Sequence, residues 1–210
     1  MIVKICGIAT LSAAQAARDA GADFLGLVFA DSRRRVTAET ARRLAAAAKG
    51  LAKVGVFVNA PLAELRDIAR SCRLDYVQLH GDESPEYCRQ VGYPVIKAVR
   101  MDQVLDVAAV ARYPVDWLLV DSFVPGRYGG TGKTFDWAAA RGRLGGLNAP
   151  VIVAGGLTPE NVGEAIAVLT PQGVDVSGGV ETDGAKDSEK IYRFIAEARQ
   201  AGGGITCSNA

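Results

Sequence analysis

Eight short runs rich in Val, Ile and Leu, each followed by a stretch of helical periodicity, constrain this chain more than any other feature. The runs fall at residues 2–6, 24–29, 54–58, 76–79, 95–99, 117–120, 151–154 and 174–176. Several are apolar at nearly every position instead of alternating, as strands covered on both faces are. Between them, Ala41, Leu44, Ala45 and Ala48 fall at i, i+3, i+4 and i+7. Val162, Ala165, Ile166 and Leu169 repeat that spacing, and so do Ile191, Phe194, Ile195 and Ala198; each set is one apolar helix face. Thr37 is placed to cap the second helix, Ala60-Pro61 to open the third, and Ser84-Pro85 and Thr158-Pro159 set a capping hydroxyl before a proline. Proline is well tolerated at the first helical position.

Strict strand–helix alternation implies parallel strands joined by right-handed crossovers. An open doubly wound sheet usually carries GxGxxG at its first turn, and the first turn here is Cys6-Gly7-Ile8-Ala9-Thr10. The glycine-rich turns come late, after runs six, seven and eight, where a closed barrel commonly binds phosphate. The expected fold is therefore α/β, a single-domain (β/α)8 TIM barrel over residues 1–200, with a flexible tail at 201–210.

Composition narrows the partners. With 210 residues and 49% hydrophobic content, the chain can bury one substantial core. A formal net charge of +1 lacks the basic excess of a nucleic-acid or membrane-surface binder. No segment approaches the roughly 18 apolar residues of a membrane span. The first six residues run straight into a strand pattern without an export leader, so a cytoplasmic location is expected. Cysteines 6, 72, 88 and 207 show no zinc-site spacing, and His80 is the single histidine. Neither a metal nor another cofactor is expected.

Catalytic groups of a parallel barrel sit at the C-terminal ends of its strands. Cys6 ends the first run and Asp121 follows the sixth. A thiol in a cationic setting ionises more easily and can take a proton. A carboxyl among apolar walls, or facing bound anions, keeps its proton more readily and can give one. The plainer alternatives are a small buried hydrophobe for Cys6 and a loop-capping carboxylate for Asp121. Gly155-Gly156 and Ser177-Gly178-Gly179, after runs seven and eight, let backbone N–H groups converge on an oxyanion. Arg33, Arg34 and Arg35 read either as a solvated basic turn or as a fork for a carboxylate. His80 reads as a hydrogen-bonding group rather than a catalyst. Tyr128 to Thr134 lacks the GxxxxGK[ST] spacing of a P-loop, and the polar stretch 122–134 suggests a lid over the barrel mouth.

Lys4-Ile5-Cys6-Gly7-Ile8, Val54-Gly55-Val56-Phe57-Val58-Asn59, Val77-Gln78-Leu79-His80-Gly81, Gly129-Gly130-Thr131-Gly132-Lys133-Thr134-Phe135-Asp136-Trp137 and Asp175-Val176-Ser177-Gly178-Gly179-Val180-Glu181 occur in this order. Together, over residues 1–200, they resemble the phosphoribosylanthranilate isomerase family. The resemblance implies a cofactor-free Amadori rearrangement in tryptophan biosynthesis, on a small-molecule phosphosugar–anthranilate substrate. It implies Cys6 as general base, Asp121 as general acid and Arg34 as the partner of the anthranilate carboxylate. Gly155, Gly156, Ser177 and Gly178 match the phosphate-binding backbone. Two departures stand out: Gly178 replaces a serine of the usual Ser-Ser-Gly, and Arg35 stands where an aromatic residue is common. The competing readings are a neighbouring sugar-phosphate barrel, whose catalysis would rest on lysines or paired aspartates, and a non-catalytic phosphate-binding barrel. Either a monomer or a homodimer fits.

Overall fold

The apolar runs close on one another. In a computed structural model of the chain, which describes residues 1–101, 106–122 and 135–203, eight parallel strands pair in sequence order and the eighth returns to the first. They are β1 (Ile2–Cys6), β2 (Phe24–Val28), β3 (Ala52–Phe57), β4 (Tyr76–Leu79), β5 (Val95–Met101), β6 (Trp117–Ser122), β7 (Val151–Val153) and β8 (Gly173–Val176). Helices α1 (Leu11–Asp19), α2 (Ala38–Ala47), α3 (Leu62–Cys72), α4 (Pro85–Gln90), α5 (Val107–Val110), α6 (Trp137–Leu144), α7 (Val162–Leu169) and α8 (Ser188–Gly203) follow their strands. A 3-10 turn (Gly178–Val180) and a small hairpin of β9 (Glu181–Thr182) and β10 (Ala185–Lys186) lie between β8 and α8. The expected TIM barrel is the fold observed.

Apolar clusters on both faces take up most of the strands' side chains. Phe24, Val54, Ile96, Leu119 and Ile152 fill the barrel axis. The other side chains of the same strands, Val3 and Ile5 among them, join the larger core shared with the helices. Strands buried on both faces are what near-continuous apolar runs encode. The three expected helix faces, centred on Leu44, on Ala165 and Ile166, and on Phe194 and Ile195, are buried in that core.

Caps follow the hydroxyls at α2 and α4: Thr37 accepts from Thr40 N and Ser84 from Tyr87 N, with Pro85 in the first turn. The Thr158-Pro159 expectation is corrected. Here α7 begins at Val162, because Asn161 Oδ1 accepts from Thr158 N (2.8 Å) while its Nδ2 donates to Gly156 O (3.0 Å). A backbone turn still precedes the helix, with Thr158 O accepting from Asn161 N (3.3 Å) and Val162 N (3.1 Å). The last helix, α8, continues through Gly203, past the expected domain end at 200. Its end is anchored: Arg199 donates to Met1 O, and a Cβ on Gly202 would stand 2.8 Å from that of Met1. Most of the anticipated 122–134 lid, the Tyr128–Thr134 glycine motif and Cys207 lie outside the described residues. No helix among those described is long and apolar enough to cross a membrane.

Candidate active site

The barrel brings the C-terminal ends of β1, β6, β7 and β8 around one mouth. Cys6 is the last residue of β1 and is 8% exposed, packed with Val28 and Val56. Its neighbour across the sheet is Gly26. A Cβ at Gly26 would lie 2.8 Å from Cys6 Cα and 2.9 Å from Sγ, so the missing side chain of β2 is the room the thiol occupies. Burial pushes the Cys6 thiol above its ordinary value, and Lys4 opposes the shift. Desolvation outweighs the cationic effect anticipated from sequence.

Asp121 lies one residue inside the end of β6, extended by Ser122 beyond the expected run. Its Oδ1 accepts from Ser122 N at 2.8 Å, and its Oδ2 faces His80 Nε2 at 3.2 Å. Gln78 Nε2 donates to His80 Nδ1 at 2.8 Å. That tautomer leaves Nε2–H pointing at the carboxylate. His80 is thus a hydrogen-bonding group, as expected, but its partner is the candidate acid.

A cavity next to Asp121 is lined by Gly155, Gly156, Ser177, Gly178 and a second carboxylate, Asp175. Gly155 and Gly156 both adopt positive φ (85° and 66°). Any side chain at Gly155 would strike Ser122 N (2.5 Å) and Asp121 Oδ1 (2.8 Å). Among the described residues, the amides of Gly156, Gly178 and Gly179 have no hydrogen-bond acceptor. They are free donors at a concave surface. Those of Thr158 and Glu160 are taken by Asn161 and Thr158, so the helix end contributes less than its sequence promised. Gly178 carries no such crowding. The nearest atom to its missing Cβ is Arg34 Nη2 at 3.6 Å.

Arg34 lies across Gly7, where a Cβ would collide with its Cδ. One edge of its guanidinium is fixed by Glu181, through Nε to Oε1 (2.6 Å) and Nη2 to Oε2 (2.9 Å). Glu181 also receives Arg33 and Lys186. Burial alone would raise the Glu181 carboxyl, but hydrogen bonds from Arg34 and Lys186 hold it at about 2. Lys186 further donates to Ser177 O at 2.8 Å, and Ser177 Oγ to Cys6 O at 3.2 Å. Arg35 instead lines a separate groove with Phe29, Asn59 and Glu64. Sequence reasoning brought together the thiol, the carboxyl, the glycine turns and Arg34. It missed Lys4, Asp175, Glu181 and Lys186, although a lysine inside the apolar run 2–6 was a signal. Among the described residues no group of three or more His, Cys, Asp or Glu side chains could hold a metal ion.

Residues 3–197 match the family model of N-(5'-phosphoribosyl)anthranilate (PRA) isomerase. The chain belongs to that family. It is 48% identical to the N-(5'-phosphoribosyl)anthranilate isomerase of Moorella thermoacetica, over 95% of this chain and 90% of that one. It is 49% identical to that of Desulforamulus reducens, over 94% and 95%. The phosphoribosyl anthranilate isomerase of Thermotoga maritima superposes with a TM-score of 0.87 at 39% identity, covering 95% of this chain and all of that one. A phosphoribosyl anthranilate isomerase in complex with reduced 1-(o-carboxyphenylamino)-1-deoxyribulose 5-phosphate gives 0.84 at 37% identity, with 95% and 100% coverage. As a member of this family, the protein is an intramolecular isomerase.

Proposed function

We propose that the barrel converts N-(5-phosphoribosyl)anthranilate into 1-(2-carboxyphenylamino)-1-deoxyribulose 5-phosphate, as a cytoplasmic enzyme of tryptophan biosynthesis acting without a cofactor. The observation that carries the reading is the shared cavity, in which the Asp121 carboxyl and the free amides of the Gly155-Gly156 and Ser177-Gly178 turns line one space. A phosphate bound there by backbone N–H groups sets the sugar between Asp121 and Cys6. Arg34 offers its remaining guanidinium edge to the carboxylate at the other end of the substrate. Two anchored ends fix the reacting carbon against the thiol, which is the orientation contribution to rate.

Protonated Asp121 gives its proton to the ribose ring oxygen. The C1–O bond breaks as the nitrogen lone pair forms a protonated Schiff base. The His80 Nε2–H then steadies the carboxylate left behind. Cys6 thiolate removes the proton from C2, its C–H electrons form the C1–C2 double bond, and the enolamine tautomerises to the ketone. Each positioned proton transfer contributes about 10²–10⁴-fold.

The test is turnover of the fluorescent substrate by the purified chain, with and without a chelator. Turnover that a chelator leaves unchanged, and that Cys6→Ser reduces by at least about 10²-fold while substrate still binds, is the expected result. Activity of the serine variant within a few-fold of the parent removes the base assignment. No turnover by the parent chain removes the substrate. A dimeric isomerase is known from Thermotoga maritima, and light scattering decides between monomer and homodimer here.

A further inference from the structure

We infer that Lys4 is the counter-charge that lets Cys6 ionise, with Asp175 as the tether that holds it under the thiol. The inference deepens the reading of Cys6 as base and makes Lys4 a positioning residue for the reaction. It starts from the pleat of β1. Val3 and Ile5 point into the core shared with the helices, so Lys4 and Cys6 point together into the barrel. Lys4 is 0% exposed. An ammonium taken fully out of water is costly unless it is paired. Its pair is Asp175, directly opposite in the β1–β8 register, with Nζ 2.7 Å from Oδ1. Burial works against the charged form of Lys4, yet Asp175 and then Cys6 more than restore it, so the lysine keeps its proton.

A charge pair that served stability alone would gain nothing from lying one layer below the candidate base, with its carboxylate on the cavity wall. Four charged groups act on the thiol from the elements around it. Lys4 acts from β1, Asp175 from β8, Lys186 from β10, and Arg34 from the turn between β2 and α2. Lys186 and Arg34 both donate to Glu181, which leaves Lys4 as the main group favouring the thiolate. Asp175 acts in the opposite sense on the thiol and draws Lys4 toward itself.

The sign of each substitution follows. Lys4→Met removes the favourable cation and must raise the pH at which Cys6 ionises, by about one unit or more for a charge at this range. Asp175→Asn removes the repulsion and frees Lys4, so it must lower that pH. The measurement is peptide-resolved alkylation by iodoacetamide across pH, in which the Cys6 thiolate displaces iodide and forms a sulfur–carbon bond. Where Lys4→Met leaves Asp175 unpaired and fails to fold, the double variant Lys4→Met/Asp175→Asn replaces it. Its midpoint is expected above that of Asp175→Asn alone. Coincident titration curves for parent and Lys4→Met, or for Asp175→Asn and the double variant, overturn the inference. The pH profile of kcat/KM, taken in parallel, separates the two claims. A midpoint that moves while the kinetic limb stays still removes Cys6 as base but leaves Lys4 as its counter-charge.

Discussion

Glu181 answers to Arg33, Arg34 and Lys186 at once, and two consequences at the scale of single residues follow. Arg34 is pre-oriented, because one edge of its fork is spent on Glu181 and a substrate carboxylate meets a guanidinium already stiffened. Arg34→Ala is therefore expected to weaken carboxylate-bearing aromatic ligands by about 1.5–3 kcal/mol and ribose 5-phosphate hardly at all. Calorimetric titration of both ligands checks this, and equal losses would make Arg34 a general electrostatic group. The second consequence is a pH dependence of folding. The Glu181 carboxyl, held at about 2 in the folded chain, sits near 4.3 when unfolded, so it stabilises the fold fully above that higher value. The stabilisation, about 3 kcal/mol, is lost as pH falls from about 4.3 toward 2. Urea midpoints measured across that window should fall for the parent and stay flatter for Glu181→Gln.

At the scale of elements, β2 shapes the site through a side chain it lacks. Gly26→Ala puts a Cβ 2.8 Å from Cys6 Cα and 2.9 Å from Sγ, so the thiol must move although the core around it stays apolar. A displacement of this kind costs about 10²-fold in turnover while the circular dichroism spectrum is retained. Parent-like kcat would show that the thiol needs no such room. The elements themselves were largely legible, because 24–28, 151–153 and 173–176 are buried throughout and an apolar run is how such strands are written. The start of α7 was not. Thr158-Pro159 has the chemistry of a cap, and only the three-dimensional reach of Asn161 to Thr158 and Gly156 shows that the helix begins later. Cys6, Asp121 and Arg34 were readable as strand-end groups and through the family motifs. Lys4 and Asp175 stand 171 residues apart, and nothing local to either names the other. Their meeting depends on closure of the sheet.

For the whole molecule, that closure is the organising event. The seam joins the first and last strands, and across it run Lys4 to Asp175 and Ser177 to Cys6 O, with Arg199 to Met1 O and Asp23 beside it. Each of these contacts waits for the C-terminal quarter of the chain. During synthesis the thiol of β1 emerges first, carrying Lys4 beside it but neither Asp175 nor Ser177 to cover it. A chain at that stage holds a cysteine that is both uncovered and next to an unopposed cation, the setting in which thiols react fastest. A nascent chain stalled before residue 173 is therefore expected to alkylate at Cys6 faster, at neutral pH, than the finished barrel; equal rates would refute this. The last strand to arrive thus protects the first, and the enzyme's most vulnerable moment comes before it has a site at all.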